Sequence, residues 1–144
     1  MSWTAKRYHD ISCGHRVHGH EGKCANLHGH NYRIFFTCAA FKTDEELDNV
    51  GRVIDFSVIK QKLCMWLEDN WDHKMLMWEK DPLAECVKLL DPTVVIVSFN
   101  PTAENIAMYL VEVVGPELLG NTGVYLKHCE VEETRKCAAT YEVE

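Results

Sequence analysis

The run Cys24-Ala-Asn-Leu-His28-Gly29-His30 sets two imidazoles two residues apart, with a thiol shortly before them. On an extended strand, residues i and i+2 project from one face, roughly 6–7 Å apart along the backbone. His28 and His30 can then reach one metal ion through bonds of about 2.0–2.1 Å to imidazole nitrogen. A third imidazole has to come from elsewhere, and His15, His18 and His20 stand in the preceding stretch. Three imidazoles with one open position describe a catalytic zinc site, whereas a structural site is closed by four protein ligands. Cys24 is then either the fourth ligand or a thiol held near the metal for chemistry.

The elements that must position these residues follow from pattern and punctuation. A first strand is expected from about Trp3 to Cys13, then a loop over Gly14 to Lys23 that carries three of the histidines. The second strand runs from about Leu27 to Phe41, and Tyr32, Ile34 and Phe36 continue the parity of His28 and His30. Lys42 to Arg52 is an acidic turn or long hairpin end. A helix over about Ser57 to Asn70 is capped by Asp55 or Ser57, with Ile59, Leu63, Trp66 and Leu67 on one stripe.

The segment Trp71 to Lys74 ends that helix. A shorter one is expected from Pro82 to Leu90, with Leu83, Cys86, Val87 and Leu90 on one face and Pro82 in its first turn. Val94 to Phe99 is a short apolar strand. The next helix starts at Thr102 as N-cap, buries Ile106, Leu110 and Val113, and stops at Gly115-Pro116. Two strands, about Gly123 to Glu133 and Lys136 to Val143, close the chain as antiparallel neighbours. Strands, then helices, then strands make an α+β protein with helices on one face of a sheet.

Bulk properties bound the function. The 144 residues are enough for one domain, taken here as 1–144, and 47% hydrophobic against 26% charged is the ordinary globular class. A net charge of −7 argues against a general partner for nucleic acid or anionic membrane, although a local basic patch can still hold phosphates. The N-terminus lacks the apolar core of a signal peptide, and no run of about 18 apolar residues offers a membrane span. Seven cysteines without an export signal fit reduced thiols in the cytoplasm, where Cys13, Cys38, Cys64, Cys86, Cys129 and Cys137 serve mostly as small buried hydrophobes.

Six segments, in order and over nearly the whole chain, resemble the 6-pyruvoyl- and 6-carboxy-tetrahydropterin synthase family. They are Gly14-His15-Arg16, Cys24-x-x-x-His28-Gly29-His30-Asn31-Tyr32, Val53-Ile54-Asp55-Phe56, Asp72-His73-Lys74, Pro101-Thr102-Ala103-Glu104-Asn105 and Glu133-Thr134. The resemblance implies the tunnelling fold: a four-stranded antiparallel sheet with two main helices on one side. It also implies subunits joined edge to edge into trimers or hexamers, with active sites between them. It puts the zinc ligands on His15, His28 and His30, and the catalytic groups on Cys24, Asp72 and His73. The pterin anchor falls on Glu133, with Glu104 and Thr102 as further pocket residues. His18-Gly19-His20 mimics the ligand pattern, and only the resemblance decides for His15.

Two departures stand out. Ile11-Ser12-Cys13-Gly14 replaces the family's usual Phe-Ser-Ala-Ala, and Asp81 to Asp91 is a helix-like stretch expected to decorate the surface or an oligomer interface. The implied substrate is 7,8-dihydroneopterin triphosphate. The three-residue gap between Cys24 and His28 looks like the 6-carboxy enzymes of queuosine and deazapurine synthesis, which release acetaldehyde and triphosphate. The alternatives are the 6-pyruvoyl enzyme of the biopterin route and a non-catalytic relative that holds zinc and a pterin. For the triphosphate grip, Lys23, Arg16, Lys74, Arg135 and Lys136 are all available.

Overall fold

Strands β1 (Ala5–His15) and β2 (His28–Ala40) pair antiparallel, from Ala5 opposite Cys38 to His15 opposite His28. The structure, a computed structural model, describes residues 2–144. Short strands β3 (Met75–Trp78) and β4 (Val95–Val97) follow, then β5 (Val124–Thr134) and β6 (Cys137–Glu142). The order across the sheet is β4-β3-β1-β2-β5-β6. The expected four-stranded antiparallel sheet is therefore present as β1-β2-β5-β6. It is extended past β1 by β3 and β4, which run parallel to their neighbours. The sequence reading did not anticipate β3; its four residues are too few to show a period.

Side-chain parity separates the two faces. Ile11, Cys13 and His15 of β1 and Tyr32, Ile34, Phe36 and Cys38 of β2 are buried on the side that the helices cover. On β5 the buried set passes from Val124 and Leu126 to Cys129 and Val131, because a bulge opposite Thr37 and Cys38 adds one residue.

Two long helices cover that face. The first, α1, spans 56–70 and is capped by Asp55, whose carboxylate accepts from the Ser57 N–H. After the short α2 (Ala84–Leu90), α3 spans 103–119, with the Thr102 hydroxyl accepting from the Asn105 N–H. Both long helices contain a π turn, Lys60–Cys64 and Leu110–Val114. The spacing of the apolar residues accounts for it. Ile59, Leu63, Leu67 and Trp71 are all buried and four apart, as are Ala103, Ala107, Val111, Gly115 and Leu119. Steps of four overshoot a 3.6-residue turn each time, and a wider turn brings the stripe back to the sheet.

The π turn corrects two expectations. Val113 is 46% exposed, and Val114, one residue later, is buried at 3%. Nor does Gly115-Pro116 stop the helix, which runs on to Leu119. Pro116 offers no N–H, but the turn before it is closed from Gly115 N–H to Leu110 C=O across five residues, so the ring meets a widened turn.

The apolar face of α2 stays largely in solvent: only Ala84 is buried and Val87 packs partly, while Leu83 and Cys86 are exposed and Leu90 is 83% exposed. Cys13, Cys38, Cys64 and Cys129 are buried, as expected of most of the cysteines, while Cys86 and Cys137 are exposed.

Gly115 sits where α3 touches β5. A Cβ there would lie 2.9 Å from Leu126 Cβ and 3.2 Å from the Leu110 carbonyl. Alanine in a helix gains about 1 kcal/mol over glycine, whereas overpacking of this kind costs about 1–3 kcal/mol. The clash should win. Gly115→Ala is expected to lower the urea midpoint by about 1 kcal/mol equivalent with an unchanged slope.

Candidate functional site

The β1–β2 register brings together a candidate metal site. His15 lies opposite His28 and Cys13 opposite His30, so all three imidazoles leave the helix-covered face at one end of the strand pair. His15 Nε2 lies 3.0 Å from His28 Nε2 and 3.1 Å from His30 Nε2. Among the described residues this is the one group of three or more possible ligands that converges, all within 4.8 Å of one another.

The outer nitrogens fix the chemistry of the inner ones. His15 Nδ1 is 2.7 Å from the Pro101 carbonyl, and His28 Nδ1 is 2.7 Å from the Asn26 carbonyl. A carbonyl only accepts, so each Nδ1 carries the hydrogen and each Nε2 of the neutral ring is a bare lone pair. Two such lone pairs 3.0 Å apart repel with no hydrogen between them. A cation removes the conflict, since a tetrahedral site with bonds of about 2.0–2.1 Å has edges of about 3.3 Å. Burial lowers the pKa of His15 below 6.5, against the Pro101 carbonyl and Glu133, with His28 and His30 adding to the lowering. Burial likewise lowers that of His30, against Glu133. Neutral imidazole is the form that binds metal, so the residues fit a divalent cation.

Glu133, near the end of β5, brings its carboxylate to this cluster, 3.4 Å from His30 Nε2 and 4.0 Å from His15 Nε2. Tyr32 joins from β2: its hydroxyl is 3.2 Å from His15 Nδ1. Burial pushes its pKa up, and the negative charge of Glu133 pushes the same way, so it stays a phenol. The sequence reading placed Tyr32 only on the apolar stripe; its parity with His28 and His30 was the available signal.

Asp72 and His73 are held on the open edge of β1 ahead of β3. Asp72 Oδ1 accepts from Ser12 N–H at 2.9 Å, His73 N–H donates to the Ser12 carbonyl at 2.6 Å, and Gly14 N–H donates to the Lys74 carbonyl at 2.9 Å. His73 takes φ +60°, the one positive φ among the described non-glycine residues, a strained conformation that recurs at functional sites. Its Nδ1 lies 2.8 Å from Asp72 Oδ2, which leaves Nε2 as the free base on a side chain 79% exposed. Burial raises the Asp72 pKa, but hydrogen bonds from Ser12 and His73 outweigh it and hold the carboxyl below 3.8.

A cleft of about 950 Å³ is lined by Asp72, His73, His30, Glu133, Thr134 and Arg135, among others. Cys24 does not line it; within one chain the structure shows no hydrogen bond or ion pair between Cys24 and His73. Cys24 instead sits in a short 3₁₀ turn, Lys23–Ala25, half-buried, and its thiol is not among the converging metal ligands. Thr102 is occupied as the α3 cap, next to the Pro101 carbonyl that holds His15, and Glu104 is exposed on the first turn of α3. His18 and His20 stay outside the cluster: His18 packs near Trp78, and His20 Nδ1 accepts from Gly22 N–H. Of the phosphate-grip candidates, Arg16 is already committed to the Ala25 carbonyl and to Asp81.

Fold and site define a class, an α+β domain whose largely antiparallel sheet carries a three-imidazole cluster able to hold a metal on its helix-covered face. Residues 4–144 match the family described as 6-pyruvoyl tetrahydropterin synthase, and the chain belongs to that family. Its fold is the tunnelling fold, and family membership makes it an enzyme of the lyase type. Over 132 residues it is 36% identical to the 6-carboxy-5,6,7,8-tetrahydropterin synthase of Rickettsia typhi, covering 89% of this chain and 91% of the relative. The same enzyme of Rickettsia bellii is 34% identical over equal shares. Among solved structures, Caenorhabditis elegans 6-pyruvoyl tetrahydropterin synthase superposes with a TM-score of 0.68 at 26% identity, covering 99% of this chain and 96% of that one. An uncharacterized protein from Wolinella succinogenes gives 0.84 at 22% identity, covering 100% and 99%, a likeness of fold.

Two outcomes follow for the metal and the thiols. Zinc should raise the melting temperature of the native chain, by the equivalent of about 2.7 kcal/mol at 100 times Kd, and His28→Ala should abolish most of that rise. Burial pushes the thiols of Cys13 and Cys38 up to about 12 and that of Cys64 to about 11. Iodoacetamide at pH 8 should therefore label Cys86 and Cys137 and spare these three, as read by peptide mass spectrometry.

Proposed function

We propose that the protein converts 7,8-dihydroneopterin triphosphate and water to 6-carboxy-5,6,7,8-tetrahydropterin, acetaldehyde and triphosphate, as a zinc enzyme of the cytoplasm. The observation that carries the reading is the converging cluster of His15, His28 and His30, the first two fixed by carbonyls, with Glu133 at its side. The names of the Rickettsia relatives support the 6-carboxy product. In keeping with that location, no described helix is long and apolar enough to cross a membrane.

Zinc, when bound by the three imidazoles, supplies Lewis-acid stabilisation for negative charge developing on side-chain oxygens of the substrate. Cys24 takes a carbon-bound proton beside a hydroxyl, and His73, oriented through Nδ1 by Asp72, moves protons at its free Nε2. Glu133 accepts hydrogen bonds from the pterin amino group and ring N–H and so fixes the ring away from the reacting carbons. Glu104 and Thr102, at the head of α3, serve as further substrate-binding residues in this reading.

No hydrogen bond joins Cys24 to His73 within a chain, and in this reading the relay draws one of them from a neighbouring copy. The strands β4 and β6, each unpaired on one side, offer backbone donors and acceptors for edge-to-edge joining into a trimer or hexamer.

Mass spectrometry of products from the zinc-loaded protein tests the reading. The expected products are 6-carboxytetrahydropterin and acetaldehyde. A 6-pyruvoyl product would keep the residue roles and replace the product; unchanged substrate with zinc-bound, oligomeric protein would sink the reading. Cys24→Ala should cut turnover by roughly 10²–10⁴-fold while keeping zinc and pterin binding.

A further inference from the structure

Residues 16–27 leave β1 at one metal ligand, His15, return to β2 at another, His28, and carry Cys24 between them. Two hydrogen bonds close this loop on itself. Val17 N–H donates to the Cys24 carbonyl at 2.9 Å, and Arg16 Nε donates to the Ala25 carbonyl at 2.8 Å. The carbonyl of Cys24 and that of its successor are thus tied to the two residues that follow His15.

The other arm of the Arg16 guanidinium runs outward, to Asp81 Oδ1. The Asp81 side chain is 0% exposed. Its Oδ1 also accepts from the Leu83 N–H at 2.9 Å, at the head of α2, and its Oδ2 is buried without a hydrogen-bond partner. The charge of this carboxylate therefore rests on Arg16. Asp81 is in turn fixed to the sheet, because its N–H donates to the Trp78 carbonyl at the end of β3.

A planar guanidinium can span two acceptors in fixed directions; an ammonium cannot. We infer that Asp81, acting through Arg16, is a positioning residue that holds the Cys24 loop beside the histidine cluster. Asp81, in a segment that looks like surface decoration in the sequence, then serves as one anchor of the loop, beside Asn100, which accepts from the His18 N–H and donates to the His18 carbonyl. The inference rests on Cys24 being the reacting thiol.

Asp81→Asn removes the carboxylate charge, and Arg16→Lys keeps the positive charge but removes the span. Both variants should raise the alkylation rate of Cys24 by iodoacetamide about tenfold relative to Cys86 and Cys137, with Cys38 and Cys64 still protected. In both, kcat should fall by roughly 10- to 100-fold with zinc content and KM unchanged. An unchanged Cys24 rate in folded variants overturns the inference. So does labelling of Cys38 and Cys64 in step with Cys24, which would reduce the pair to a general support of the fold. If Asp81→Asn does not fold, Arg16→Lys decides alone. Alkylation is read without turnover, so a wrong substrate leaves this test standing.

Discussion

Two imidazole lone pairs, on His15 and His28, are forced to face each other with His30 Nε2 beside them, and much of the molecule is arranged to make them do so. Left alone, His15 and His28 would turn a hydrogen toward each other and relax. The carbonyls of Pro101 and Asn26 prevent this by claiming the outer nitrogens. One carbonyl precedes the cap of α3 and the other ends the Cys24 loop. The strand register is just as strict, because a slip of one residue between β1 and β2 would send His28 and His30 to the opposite face. The cluster is thus poised for a cation by elements drawn from distant parts of the chain.

The remaining reactive groups lie at the ends of regular elements. Asp72 and His73 occupy the place beside β1 where β3 has not yet begun and take over its backbone bonds with Ser12. The left-handed backbone of His73 costs roughly 1–3 kcal/mol, offset by the bonds that its N–H and Nδ1 make. His15 is held rigidly in the interior, while the His73 side chain stays open to solvent.

Much of this was legible in the sequence. The parity of His28, His30, Tyr32 and Ile34 gave the strand, its face and two of the ligands together. Spacing alone could not choose among His15, His18 and His20, because the choice depends on cross-strand register, a property of two segments at once. Val113 was misjudged for a related reason: α-helical periodicity was assumed through a turn that is not α-helical. The roles of Arg16 and Asp81 were hidden because they lie 65 residues apart, joined by one ion pair. The exposed face of α2 shows the limit of hydrophobic pattern as a guide to burial, since Leu89 and Leu90 are apolar and stand in water.

Each of the two π turns holds one residue more than the α-helical turn it replaces. Both long helices therefore read as ordinary helices that have absorbed a single insertion in mid-course. A chain shortened by one residue within 60–64 or 110–114 would close into unbroken α-helix with both helix ends left where they are. Asp72 and His73 would then keep their places in space while their distance in sequence from Asp55 fell by one. The architecture thus contains one residue of slack in each helix, and counting along the chain is a looser ruler for this site than the sheet it is built on.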